Sequence, residues 1–210
     1  MRLDARNAGT AHTLPILVFD ERRLTPSFGY VFKPQWLDPH ESIVSILWKF
    51  ATMNGLSGHV VATQVAKTTI DPYDGIDPNR EAVDIRRLRQ VLGLRLNQLR
   101  ASLLPPSLER TSSRYFRYCP KCLLRGYHGV LHQLESLQQC PMHGSWLQTD
   151  CRHCDQPSPY RINARLLDSP FRCSHCRQPY AIGSPRFEYR RALSCRALVA
   201  LTRTRLRYAA

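Results

Sequence analysis

Lysine is nearly missing from this chain. Of 30 basic residues in 210, only Lys33, Lys49, Lys67 and Lys121 are lysine, and the rest are arginine. Solubility would be served as well by lysine. The planar, five-donor guanidinium instead suits phosphates and base edges. Acid is scarce as well: 16 Asp and Glu leave a formal net charge of +14 and a pI near 9.9. The acids are scattered. Asp71, Asp74 and Asp77 come together only in a proline- and glycine-containing loop that reads as a turn. No carboxylate pair for acid–base work stands out and there is no P-loop glycine pattern, so the sequence points away from an enzyme. No apolar run approaches the roughly 18 residues of a membrane span. Residues 1–13 are polar and the run Leu14–Phe19 is too short for a signal peptide, which leads to the expectation of a cytoplasmic chain. The 43% hydrophobic content suffices for a core in one large or two small domains.

Cysteine, by contrast, is concentrated. Cys119-x-x-Cys122, Cys140-x-x-His143, Cys151-x-x-Cys154 and Cys173-x-x-Cys176 follow one another. Such a turn aims two donors at one cation at about 2.3 Å, and its backbone N–H groups can donate to the sulfurs. Two pairs close a tetrahedron, so four pairs predict two Zn2+ ions. The intervals between pairs fit the C-x2-C-x15–20-C-x2-C type of zinc site. Sequential pairing makes each site a complete zinc-ribbon-like unit: Cys119, Cys122, Cys140 and His143, then Cys151, Cys154, Cys173 and Cys176. Cross-braced pairing is the alternative. Both sites are closed, with no place for an activated water, and are read as structural. A disulfide framework is the competing account, but a histidine stands where a cysteine would be needed. His153 and His175 lie inside their pairs and should point away from the metal. His128 and His132 are spaced too tightly for a C2H2 finger and are read as structural or as partners of the ligands. Cys195, outside the pairs, is expected to be a buried free thiol.

The rest of the chain suggests four segments. An extended arm (1–37) could pack on the body through Phe28, Tyr30, Phe32 and Trp36, with one short strand at Leu14–Phe19. A helical domain (38–110) opens with a capping box, Asp38 as N-cap, Pro39 at N1 and Glu41 at N3, and its first helix ends at Gly55. Ser57 caps a second helix, about 58–67. The pair fits a helix-turn-helix or an ordinary core hairpin. Helices about 78–92, with Val83, Leu88, Val91 and Leu92 inward, and about 95–104 follow. Their Arg86, Arg87, Arg89, Arg95 and Arg100 are candidate phosphate contacts, the alternative being a solvated face. Arg114 and Arg117, interleaved with aromatics in 114–118, are further nucleic-acid candidates; the same stretch equally suits a strand packed under the first zinc site. Tandem zinc fingers (111–184) and a basic C-terminal segment (185–210) complete the chain. The latter should form a helix over 189–208, with Leu193, Ala197, Leu198 and Leu201 on one face. The fold expected is mainly α, with small zinc-stabilised α+β modules.

Read together, E-S-I-V-S-I-L-W-K-F-A-T-M-N-G-L-S (41–57), V-L-G-L-R-L-N-Q-L (91–99), R-Y-C-P-K-C-L-L-R-G-Y-H (117–128) and C-P-M-H-G-S-W-L…C-R-H-C (140–154) resemble the TniQ family of transposition target-selection proteins. The resemblance covers about residues 35–180 and is most specific in its second half. It implies a helix-turn-helix domain joined to tandem zinc fingers. It also implies a bacterial, non-catalytic adaptor that recognises target DNA, or an RNA-guided effector on that DNA, and recruits an AAA+ ATPase. Cys119, Cys122, Cys140 and His143 match the first finger, and Cys151 and Cys154 open the second. Leu134-Glu135 stands where many members have Trp-Arg. The further C-terminal half of long members is missing, as expected of a short adaptor that leans on other proteins. DNA or RNA as direct ligand, an effector or a second copy as partner, and a transcription regulator as the alternative role stay open at this point.

Overall fold

The computed structural model describes residues 29–183 and 192–209. The α-helices of this region are α1 (Ile43–Asn54), α2 (Gly58–Val65), α3 (Ile85–Leu92), α4 (Leu96–Ala101), α5 (Pro106–Glu109), α6 (Pro120–Leu124), α7 (Ala164–Leu167) and α8 (Cys195–Ala209). Among the described residues there is no strand, only isolated antiparallel bridges such as Tyr118 with Gln148 and Arg172 with Pro179. The metal modules are therefore turns and short helices rather than the expected α+β units. Each Cys/His turn reverses the chain within a few residues and leaves too little extended backbone for a ladder. The strand expected at Leu14–Phe19 and the contact expected of Phe28 lie outside the described residues. No helix among the described residues is long and apolar enough to cross a membrane.

Helix α1 starts at Ile43, four residues later than its capping-box sequence predicts. Its N-cap is Ser42, whose hydroxyl accepts from the Ser45 N–H at 3.2 Å. The Glu41 carboxylate does reach back to the Asp38 N–H, at 3.0 Å. His40, however, takes a φ of 59°, which closes a turn and breaks helical geometry there. Asp38 instead pairs with Arg125 at 2.9 Å. Every residue from Ile43 to Ala51 is buried, so α1 is wrapped on all sides. Within this wrapped stretch Lys49 ion-pairs with Glu41 and donates to the Trp36 carbonyl at 2.7 Å. Burial pushes both groups toward neutrality, Glu41 up and Lys49 down, against the attraction of the pair.

Gly55 ends α1 with φ 61° and Ser57 caps α2, as predicted. Helix α3 begins at Ile85 rather than near Pro78. The Asn79 side chain accepts from the Glu81 and Ala82 N–H groups and folds that stretch into a turn, and Asp84 becomes the cap. Val83, Leu88, Val91 and Leu92 are buried, as their spacing predicts. Helix α4 stops at Ala101 rather than 104.

One core runs through both halves. Trp48 of α1 lies 5.5 Å from Phe116 and 4.8 Å from Phe171, ring to ring, and donates to the Leu166 carbonyl at 2.7 Å. Such aromatic pairs add about 0.5–1.5 kcal/mol beyond the area they bury. The same cluster continues to Cys151, Cys173 and Tyr180. Two of the three aromatics of 114–118 therefore pack under the second metal module, not the first: Phe116 and Tyr118 are buried, the Tyr118 hydroxyl donates to the Asp150 carbonyl at 2.8 Å, and Tyr115 is exposed. Tyr30 and Phe32 of the arm pack against this core, Tyr30 edge-on to Phe50 at 5.3 Å. Helix α8 lies elsewhere. Leu193 and Leu201 are buried with Cys119, Cys122, Tyr127 and Cys140, and Ala197 and Leu198 pack beside them.

Candidate metal centres and basic faces

The second, third and fourth Cys/His turns share one backbone design. In each, the residue just after the second donor is left-handed: Gly144 at φ 62°, Asp155 at 54° and Arg177 at 62°. Its N–H returns to the carbonyl of the first donor, Cys140, Cys151 or Cys173, at 2.8–3.0 Å. The N–H groups of His153 and His175 point at the sulfurs of Cys151 and Cys173, each at 3.4 Å. The first turn is built differently. Cys119 precedes Pro120 at the start of α6, and Cys122 sits inside that helix.

These turns bring the donors together in sequential pairs. The donor atoms of Cys119, Cys122, Cys140 and His143 all lie within 4.8 Å of one another, and so do those of Cys151, Cys154, Cys173 and Cys176. A tetrahedron with 2.3 Å metal–sulfur bonds has edges of about 3.8 Å. Here Cys151 and Cys176 are 3.7 Å apart, Cys154 and Cys173 3.8 Å, and Cys122 and Cys140 3.5 Å, sulfur to sulfur. Crowding alone polarises the donors. In the first cluster, hydrogen bonds from Cys122 and Cys140 draw the Cys119 thiol down, burial pushes Cys122 up, and the Cys119 and Cys140 sulfurs raise His143 to about 9. A divalent cation answers all four donors at once, with deprotonated thiols and a neutral imidazole. The donor chemistry, three thiols and an imidazole or four thiols, fits such an ion and leaves no open position.

Two side chains outside the ligand set touch the first cluster. Ser145 Oγ lies 3.2 Å from Cys119 Sγ. His132 is fully enclosed; its Nδ1 accepts from the Gly129 N–H at 3.3 Å, so Nε2 carries the proton, and it faces Cys140 Sγ at 3.7 Å and Cys122 Sγ at 3.9 Å. His128 serves the join between modules instead. Its Nε2–H donates to the Arg117 carbonyl at 2.8 Å, and its Nδ1 accepts from the Ser42 hydroxyl at 2.6 Å. His153 and His175 are exposed. Cys195 is exposed too, contrary to the expectation of a buried thiol. At about 100° per residue it sits roughly 120° around α8 from the buried Leu201.

Of the arginines singled out in the sequence, Arg86, Arg87, Arg89, Arg95, Arg100 and Arg114 are exposed. Arg117 is not: it is buried, and its guanidinium donates to the carbonyls of Leu134 and, at 2.8 Å, Leu137. It ties two loops together and has no surface to offer. The α1–α2 hairpin is closed as well. The Gly58 N–H donates to Asp168 at 2.5 Å, and a Cβ on Gly58 would stand 2.4 Å from the Ala164 carbonyl oxygen. The first turn of α2, the part a groove-reading helix presents, thus lies against α7. The acids of the 71–77 loop do not converge: Asp71 caps the Tyr73 N–H at 2.8 Å and Asp77 pairs with Arg161 at 3.1 Å.

Compared with known families, the chain matches the family described as TniQ over residues 34–147, more than half of its length. The match takes in α1 to α6 and the first donor cluster and stops short of the second. No curated protein matches the chain.

Proposed function

Because the chain belongs to the TniQ family of transposition-associated adaptors, we propose that it selects the target site for DNA transposition and recruits an AAA+ ATPase, alone or with an RNA-guided effector. It works without catalysing a reaction of its own. Two Zn2+ ions, one per donor cluster, hold the second half rigid as a docking platform. Nucleic acid is contacted through the exposed arginines of α3 and α4, with Arg114 as an outlying contact; the α1–α2 pair acts as a core hairpin. The observation that carries this reading is the family match ending just past a closed, four-donor cluster, a geometry that suits scaffolding.

Metal content is the first test: protein purified without added zinc should carry about two equivalents per chain, and well under two removes the platform. Pull-down of an AAA+ ATPase of the transposition machinery, with and without target DNA, is the second. Retention that rises with DNA is expected. No retention under either condition would end the recruitment role.

A further inference from the structure

Between the 66–86 segment and α4 lies a cleft of about 430 Å³, lined by Lys67, Arg80, Arg86, Arg100, Asp84 and Leu96 among others. Four of these side chains are cations. Asp84, the acid among them, is occupied in capping α3, where it accepts from the Arg87 N–H at 2.9 Å. None of the four cations forms an ion pair among the described residues. Arg80 is the least satisfied. Its Nε–H is buried without a hydrogen-bond partner, and its Nη2 reaches only the Arg100 carbonyl, at 3.4 Å. Lys67 gives one of its three donors to the Arg80 carbonyl, at 2.7 Å. The packing around the cleft adds further positive charge. Arg205 of α8 donates to the Ala101 carbonyl at 3.0 Å and to Nδ1 of His40 at 2.9 Å. It lies close enough to Arg80 for the two cations to repel. Two arginines, one from a loop and one from the C-terminal helix, thus rest on the last carbonyls of α4, the end of a helix that favours positive charge.

Four cations against the one carboxylate of Asp84 leave the cleft with an excess of positive charge. We propose that this cleft binds a phosphate, and specifically a backbone phosphodiester of nucleic acid held by Lys67, Arg80, Arg86 and Arg100. A phosphate there answers the excess positive charge, and guanidinium forks match its oxygens in pairs. The inference rests on the nucleic-acid reading above and goes beyond it. It names a particular cleft, it brings in Lys67 and Arg80, which are not among the nucleic-acid candidates singled out in the sequence, and it places the end of α8 beside the bound strand.

The experiment is anisotropy of the full chain, metal-loaded, with a short labelled DNA duplex and with single-stranded DNA and RNA, across a salt series. Arg80→Gln, Lys67→Gln and Arg100→Gln are compared with Arg152→Gln and Arg172→Gln, exposed arginines on the second metal module. Circular dichroism and metal content establish that each variant is folded. Each cleft variant should weaken binding by about 3- to 10-fold at moderate salt and lower the slope of log K against log salt by about one; the control variants should change neither. If wild type binds nucleic acid steeply with salt and the cleft variants match the controls, the cleft assignment is wrong while nucleic-acid binding stands. If wild type binds none of the three probes at low salt, the nucleic-acid reading itself falls, and the cleft with it. Titration with inorganic phosphate and a mononucleotide separates the other source. Saturable binding of either that Arg80→Gln abolishes, with nucleic-acid affinity unchanged, would overturn the backbone assignment in favour of a small phosphate ligand.

Discussion

His132 is a side chain outside the donor set that touches the first candidate metal centre. Its ring is enclosed and its tautomer is fixed by the Gly129 N–H, so the remaining N–H faces two sulfurs. A neutral donor aimed at thiolates spreads their negative charge and holds them in place. His132→Phe keeps a ring of similar shape and removes the donor. It should weaken zinc binding at the first centre by about 10- to 100-fold, read by competition with a chromophoric chelator, and leave the second centre unchanged. Equal affinity at both centres in variant and wild type would reduce His132 to a packing residue. In the sequence this histidine was visible only as half of an H-x3-H pair. The pair carries no sign that one ring faces the metal cluster and the other joins Ser42 to the Arg117 carbonyl. Arg117 was misleading for the same reason. Arginines alternating with aromatics look identical on a nucleic-acid surface and beside a core, and only the long-range carbonyls of Leu134 and Leu137 decide.

At the scale of elements, what is encoded within a few residues was legible and what is closed by distant chain was not. The four Cys/His turns, the Gly55 helix end and the buried face of α3 follow from local spacing. The start of α1 does not, because the Asp38–Glu41 reach-back satisfies a capping box in a turn that His40 closes. Helices α5 and α7 have four residues each, too short for an apolar period to show. Helix α7 nevertheless determines what α2 can do. Gly58 is required where the two meet, since a Cβ would strike the Ala164 carbonyl oxygen at 2.4 Å and the Asp168 nitrogen at 2.9 Å, both backbone atoms. Gly58→Ala should therefore destabilise the chain by about 1–3 kcal/mol as an overpacking substitution. For a chain of this size that is a fall in Tm of about 2–4 °C per kcal/mol. An unchanged or higher Tm, the result expected of alanine in an open helix, would mean that α2 and α7 do not meet in solution.

At the scale of the molecule the two candidate metal centres lie in different surroundings, although their spacing in the sequence makes them look like tandem copies. The sulfurs of the second belong to the central core, with Trp48, Phe116 and Tyr180. Those of the first belong to a separate cluster whose other side is α8. Among the described residues helix α8 has few other anchors: Tyr208 against the Leu104–Leu134 cluster, and Arg205 on the Ala101 carbonyl and His40 Nδ1. Because a Cys/His cluster is ordered by its metal, docking of α8 should follow the first ion and not the second. Cys140→Ser should lose one equivalent of metal together with amide-exchange protection in α8. Cys176→Ser should lose one equivalent, expose amides around Tyr180 and α7, and leave α8 protected. Mild chelation that strips the first centre should reproduce the Cys140→Ser pattern in the wild-type chain. Protection of α8 that survives the loss of the first metal would show that its leucines pack on a surface that forms without the ion. The basic end of α8 beside α4 would then be fixed by the protein core alone.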